Sequence, residues 1–388
     1  MDLSNLTHGI FPHIHKLLPP KRLRNHDSIQ PLASVKWLLQ TPFATFIDDV
    51  EAFTGAPIIG DIVLHIRESH EVESFSVALN LHRYDKRPLR PNCSDCTHDY
   101  LELKRWVFMD SSATLADGKH SFTFSVRLNN NVPSSLDTPL VAFTYELRAE
   151  LVLATGELMK WGKNFDVRRS LCEPGLPHDF PLSFPEPRTD ACLSMKRVIH
   201  PDEISKVRLR LCVIKAQPGG GICAWELTSV KWRLEELVET KLTLCVRHIE
   251  DEGNLPNRGR QTTTHILGKG RMRSGWRSGQ GEQGIFAALE FEYGPISKMA
   301  LKLKTTYACD ETINNTLKVS HAFVIEILLQ TVTMMIDESV SSSASNRTRL
   351  IRIRRPVILT WHREDLESVE ETLPAYTDIQ VDPPAYVT

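Results

Sequence analysis

Apolar and polar residues alternate with a period of two along much of this chain, a pattern that packed sheets satisfy and long helices do not. The clearest run is Phe143, Tyr145, Leu147, Ala149, Leu151 and Leu153, with Thr144, Glu146, Arg148 and Glu150 on the opposite face. Phe75, Val77, Leu79 and Leu81 form a second run, and Phe122, Phe124, Val126 and Leu128 a third. Val207, Leu209, Leu211 and Val213 repeat the pattern, as do Leu317, Val319, His321, Phe323, Ile325 and Ile327. Strands of this kind hide one face and solvate the other, as antiparallel sheets do when they pack into sandwiches.

A chain of 388 residues is too long for one compact core. The expected fold class is therefore all-β, with one antiparallel sandwich over about residues 36–185 and another over about 190–362. The segment 172–187 carries five prolines, which suits a connection between the two. Residues 1–35 and 363–388 are expected to be disordered tails. Trp232–Glu239 fits either a short helix or a strand end. The glycine-rich stretches 219–221 and 268–275 are expected to be loops, since they lack the lysine and hydroxyl ending of a phosphate-binding loop.

The formal net charge is -2, so no global field favours nucleic acid or an anionic surface, and a basic binding face has to be local. The N-terminal stretch lacks a continuous apolar core and a cleavage site, and Ala322–Leu329, interrupted by Glu326, is too short to span a bilayer. A cytoplasmic protein is expected. No HExxH, GxSxG or kinase set occurs, and no carboxylate pair can be placed, so catalytic residues are not expected.

The eight cysteines are scattered and read as reduced thiols. Cys93-Ser94-Asp95-Cys96, followed by His98, has the spacing at which thiolates hold two corners of a zinc tetrahedron. Two further ligands would have to be recruited from His98, Cys172 or Cys192, and no second close cysteine pair exists. The motif is read as a structural turn with free thiols, and neither metal nor cofactor is expected.

The C-terminal segment carries the sharpest functional signal. Pro383-Pro384-Ala385-Tyr386 is a PPxY sequence, and Leu373-Pro374-Ala375-Tyr376 repeats it with leucine in the first position. Two consecutive prolines favour polyproline II, so little entropy is lost when their rings enter the aromatic groove of a WW domain. A paired motif can engage tandem WW domains by avidity. Basic clusters occur at Lys86, Arg87 and Arg90, at Lys104 and Arg105, at Arg168 and Arg169, and at Arg271, Arg273 and Arg277. A further cluster, Arg347, Arg349, Arg352, Arg354 and Arg355, is the candidate patch for acidic cargo segments or anionic membrane headgroups. The ordinary alternative for each is a solvated strand face.

Several spaced motifs resemble the alpha-arrestins, specifically the low-dye-binding branch of the fungal arrestin-related trafficking adaptors. Leu115–Leu136 resembles the family signature L-x-x-G-x-H-x-F-P-F-S … L-P-x-S, with Thr123 in place of a proline, and Val141–Ala149 follows as V-x-Y-x-L-x-A. Gly60–Leu64, Val198-Ile199-His200-Pro201, Trp225-Glu226-Leu227 and Lys231–Glu236 are similar to further family runs. So are Gly275-Trp276-Arg277, Cys309-Asp310 and Leu317–His321. The resemblance implies two arrestin-type sandwiches and recruitment of a HECT ubiquitin ligase with WW domains. It further implies ubiquitin-dependent endocytosis of plasma-membrane transporters, with recruitment to plasma membrane, endosome or Golgi and ubiquitin itself as a modification. A retromer-like sorting scaffold without ligase recruitment is the alternative within the same fold. A β-sandwich hydrolase or carbohydrate-binding protein is the alternative outside it.

Overall fold

The computed structural model describes residues 32–48, 53–171, 176–185, 188–201, 203–214, 223–241, 244–248, 259–281, 284–294, 308–314, 316–333 and 347–361. The first half contains β1 (Ala33–Leu39), β2 (Phe43–Asp48), β3 (Phe53–Thr54), β4 (Ala56–Ile66) and β5 (His70–Asp85). A single helical turn, α1 (Ser94–Thr97), leads into β6 (His98–Met109), β7 (Ala113–Leu115) and β8 (Gly118–Leu128). Then come β9 (Leu136–Asp137), β10 (Val141–Leu153) and β11 (Leu158–Leu171). One sheet runs β1-β4-β8; the other runs β3-β2-β11-β10-β5-β6, with β7 on β5 and β9 on β10.

The second half contains β12 (Pro177–Pro185), β13 (Arg188–Lys196), β14 (Val198–Ile199), β15 (Ser205–Ile214) and β16 (Cys223–Lys241). It continues with β17 (Arg260–Met272), β18 (Arg277–Gly281), β19 (Gly284–Tyr293) and β20 (Glu311–Ile313). The last strands are β21 (Leu317–Thr333) and β22 (Thr348–Leu359). Its sheets run β12-β13-β15-β19-β18 and β14-β22-β21-β16-β17, with β20 on β21. The chain is all-β, two tandem β-sandwiches. Two pairings depart from the antiparallel pattern: β11 runs parallel to β2, and β14 runs parallel to β22.

The alternation in the sequence is the alternation of the core. In β10 the residues Phe143, Tyr145, Leu147, Ala149, Leu151 and Leu153 are buried, while Thr144 is exposed and Glu146, Arg148 and Glu150 are half-buried. A slip of one residue would bury those charges, so the register against β5 and β11 is strongly specified. The second core gathers Leu193, Val207, Leu209, Phe323, Ile325, Ile327 and Ile353 between its two sheets. The long strands β16 and β21 leave that core and reach the first one, where Val238, Leu317 and Val319 pack with Leu136, Val141 and Tyr145.

One open alternative is settled and three local expectations change. Trp232–Glu239 is strand, inside β16. Gly268 and Gly270 lie in β17 rather than in a loop, because close neighbours require them to be small. A Cβ on Gly268 would stand 2.0 Å from the Gly294 carbonyl oxygen, and one on Gly270 2.4 Å from the Trp232 indole nitrogen. The proline-bearing connection contains β12, an edge strand. Pro177, Pro181 and Pro185 share one parity, so their missing N–H groups fall on one side of the strand, where the open edge needs no donor. Finally, β1 begins at Ala33, inside the expected N-terminal tail. Residues 1–31 and the tail from 362 onward lie outside the described residues. Among the described residues no helix is long and apolar enough to cross a membrane.

Candidate functional site

The two sandwiches meet across a band of buried polar groups, and the chain places these on strands that end at the junction. Glu311 opens β20 with its side chain 3% exposed. Its Oε2 accepts hydrogen bonds from the Ser134 backbone N–H at 3.1 Å and the Ser134 hydroxyl at 2.7 Å. Arg169 of β11 lies 3.2 Å from the other carboxylate oxygen and stacks its guanidinium 5.0 Å from the Phe46 ring centroid. The neighbouring Arg168 lies over the rings of Phe43 and Trp361. Arg168 and Arg169 thus belong neither to a solvated strand face nor to a docking surface. Residues after β22 close the same seam: the Thr360 hydroxyl and the Trp361 N–H both donate to the Arg169 carbonyl.

Below this pair lies a second polar cluster. His321 sits on the apolar parity of β21 with its side chain fully buried. Its Nδ1 lies 2.7 Å from Asp310 Oδ2, which also accepts the Leu359 N–H at 2.6 Å. Its Nε2 faces the Glu236 carboxylate at 3.6 Å, an ion-pair distance rather than a hydrogen bond. Burial opposes the charged ring, yet Asp310 and Glu236 outweigh it and raise the His321 pKa to about 9. The Tyr145 hydroxyl fixes the adjoining 129–135 loop by donating to the Pro133 carbonyl at 2.5 Å. Burial of that phenol raises its pKa. Sequence reasoning missed both clusters. The signal was a histidine on an apolar face, opposite Glu235-Glu236 and near Cys309-Asp310-Glu311.

The candidate arginine patch on β22 divides. Arg352 pairs with Glu326 at 2.8 Å, and Arg354 with Glu235 at 2.9 Å. Arg233 bridges the same two carboxylates at 2.6 and 2.8 Å. These side chains form a cross-strand ladder on the outer face of β16, β21 and β22, which neutralises much of the expected field. Arg355 is half-buried, 5.2 Å from the Phe180 ring centroid. Arg347 and Arg349 are exposed, and no ion pair is formed by either among the described residues. The ligase-binding candidates Leu373, Pro374, Tyr376, Pro383, Pro384 and Tyr386 all lie outside the described residues.

The Cys93–Cys96 motif has partners that its own neighbourhood does not show. Cys245 and His248, just after β16, bring a thiol and an imidazole to the two thiols before β6, with all four donor atoms within 4.8 Å of one another. Cys93 precedes and Cys96 lies within a single helical turn, both as free thiols, and the two donors beside them are not among His98, Cys172 and Cys192: Cys245-Val246-Arg247-His248 is itself a close Cys/His pair. His98 is not part of the group. It stacks on His82 and Tyr84, with its Nδ1 3.0 Å from His82 Nε2. Cys192 lies apart in β13, and Cys172 lies outside the described residues.

Residues 78–252 match the family model described as "LDB19: Arrestin_N terminal like". An uncharacterized protein of Schizosaccharomyces pombe is 26% identical over 304 residues, covering 78% of this chain and 74% of that protein. A second uncharacterized protein of the same yeast is 21% identical over 385 residues, 96% of this chain and 99% of its own length. The protein LDB19 of Eremothecium gossypii is 28% identical over 170 residues, 40% of this chain and 23% of that longer protein. Among solved structures, the sporulation control protein Spo0M of Bacillus subtilis covers 61% of this chain and 90% of its own. Its TM-score of 0.29 at 12% identity is too low for an argument from fold. The family match runs from β5 of the first sandwich to the segment after β16 of the second, and over that span the chain is similar to the arrestin-related LDB19 family.

Proposed function

We propose that this chain is a trafficking adaptor of the low-dye-binding branch that recruits a WW-domain HECT ubiquitin ligase to plasma-membrane transporters, promoting their ubiquitylation and endocytosis. The observation that carries the reading is the PPxY sequence Pro383-Pro384-Ala385-Tyr386, preceded by Leu373-Pro374-Ala375-Tyr376. An arrestin-related chain supplies two sandwiches for cargo and a separate peptide for the ligase. In that division of labour Pro384 packs against the WW aromatics and Tyr386 fills the adjacent pocket. Arg347 and Arg349 are the residues of the arginine patch left to attract acidic cargo segments.

The test is a titration of single and tandem WW domains against the full chain. Loss of a buried aromatic anchor costs about 2 kcal/mol, roughly a thirtyfold change in affinity, so Tyr386→Ala nearly abolishes binding to one WW domain. Tyr376→Ala has a small effect alone and a larger one with tandem domains, where the weaker site acts through effective concentration. Thermal stability stays at the wild-type value in both variants. Wild-type affinity in the double variant would remove the ligase from the reading and favour the sorting scaffold.

A further inference from the structure

We propose that Cys93, Cys96, Cys245 and His248 form a structural Zn²⁺ site that clamps the first sandwich to the second. Three of the four groups are sulfur donors and the fourth is an imidazole, the soft set that selects zinc over magnesium or calcium. A tetrahedral zinc, with Zn–S about 2.3 Å and Zn–N about 2.0–2.1 Å, requires S···S edges of about 3.8 Å and S···N edges of about 3.6 Å. The observed edges are 3.8 Å for Cys93–Cys245 and 3.5 Å for Cys96–Cys245. Those from His248 Nδ1 are 3.4 Å to Cys96 and 3.3 Å to Cys245. No pair is at the roughly 2.05 Å of a disulfide, and all three cysteines are free.

The backbone is shaped for the same purpose on both sides. The Cys96 N–H donates to the Cys93 carbonyl at 3.2 Å, and the His248 N–H to the Cys245 carbonyl at 2.8 Å. Each three-residue step thereby curls into a turn that aims both of its donor side chains to one side. The Thr97 hydroxyl tightens the first turn by donating to the Cys93 carbonyl at 2.9 Å. Beside the cluster, Arg247 pairs with Asp95, one residue from each turn. A zinc bound by three thiolates and one neutral imidazole carries a net negative charge, and the Arg247–Asp95 pair beside it adds none of its own.

Four protein ligands complete a tetrahedron, so no position is left for water or substrate, and the site is structural rather than catalytic. Its place in the fold gives the clamp a purpose. One ligand pair precedes β6 at the edge of the first sandwich, and the other follows β16 of the second. Two hydrogen bonds cross the same seam nearby: Arg83 donates to the Lys241 carbonyl at 3.0 Å, and Gln261 to the Arg87 carbonyl at 3.1 Å. The metal would fix the angle between the sandwiches on the side of the seam where these two bonds cross.

The experiment is metal analysis of the full chain purified under reducing conditions without added chelator, with mass spectrometry of the intact protein. Zinc at one equivalent per chain is expected, lost in Cys96→Ser and in His248→Ala and retained in Cys192→Ser. Should the ligand variants fail to fold, wild-type protein stripped of zinc and reloaded with Co²⁺ decides instead. A cobalt spectrum with thiolate charge-transfer and tetrahedral d–d bands supports the site. Folded wild-type protein that holds no zinc and gives no tetrahedral cobalt spectrum overturns it. So does a mass two hydrogen atoms lower, traced to a disulfide among these three cysteines. Iron in place of zinc would overturn the choice of metal.

Discussion

Removing the Glu311 carboxylate tests whether the polar junction holds the two sandwiches as one unit. In Glu311→Ala the Ser134 N–H and hydroxyl lose their shared acceptor, and Arg169, 14% exposed at its side chain, loses its counter-charge. Breaking a buried ion pair from one side costs about 3–5 kcal/mol, and an unsatisfied buried donor about 1–3 kcal/mol. These do not add. Arg169 keeps the Phe46 ring and a bond to the Asn130 carbonyl, and the space left by the carboxylate admits water. The lower end, about 3 kcal/mol, is therefore expected. With an unfolding entropy of about 2 cal/mol/K per residue, that corresponds to a fall of about 4 °C in Tm for coupled unfolding of a chain this size. Calorimetry of Glu311→Ala, Arg169→Met and the double variant measures it. The double variant should be more stable than the sum of the singles predicts, because no charge is then stranded. A single transition in wild type should separate towards two in Glu311→Ala. An unchanged Tm with strictly additive single variants would refute the claim that this pair couples the halves.

His321 supplies a pH signature. Its folded pKa of about 9 stands above the ordinary histidine value, so its contribution is complete below about pH 6.5 and is lost as pH rises through about 9. The difference in unfolding free energy between wild type and His321→Gln should shrink across that window by roughly 3 kcal/mol, and a flat difference curve would contradict the pairing with Asp310 and Glu236. Gly268→Ala drives a methyl into the Gly294 carbonyl oxygen, at 2.0 Å from ideal Cβ, so β17 must shift. Such overpacking costs about 1–3 kcal/mol in denaturant titration, and a wild-type midpoint would show that β17 and Gly294 are not in contact.

The strands were legible because their information is local. Phe143 to Leu153 declares a face by itself, and tertiary packing only has to accept it. β17 failed for the opposite reason. Gly268 and Gly270 look like loop residues until the Gly294 carbonyl and the Trp232 ring are known to press on them. β12 needed knowledge of its place in the sheet, since prolines on one parity are excluded from a central strand and harmless at an edge. The arginines show the same limit. Arg168 and Arg169 read as a basic cluster like any other, yet aromatic rings and Glu311 take them into the junction. Arg352 and Arg354 also read as basic, although Glu326 and Glu235 on adjacent strands balance them.

The Cys/His group carries that reasoning furthest. Each half of it is a weak local signal: Cys93 with Cys96 on one loop, Cys245 with His248 on another. A metal tetrahedron is a statement about two segments together, and no periodicity within either can supply the missing pair. What joins them is the length of β16, which carries the chain out of the second core, past Glu236 and Val238 and onto the first sandwich before the Cys245 turn begins. The same strand thus sets one face of the His321 cluster and delivers two donors to the thiols. A sandwich with a shorter β16 could keep its core intact and still lose both. The junction is therefore specified less by the composition of either loop than by how far one amphipathic strand continues after its own core has ended.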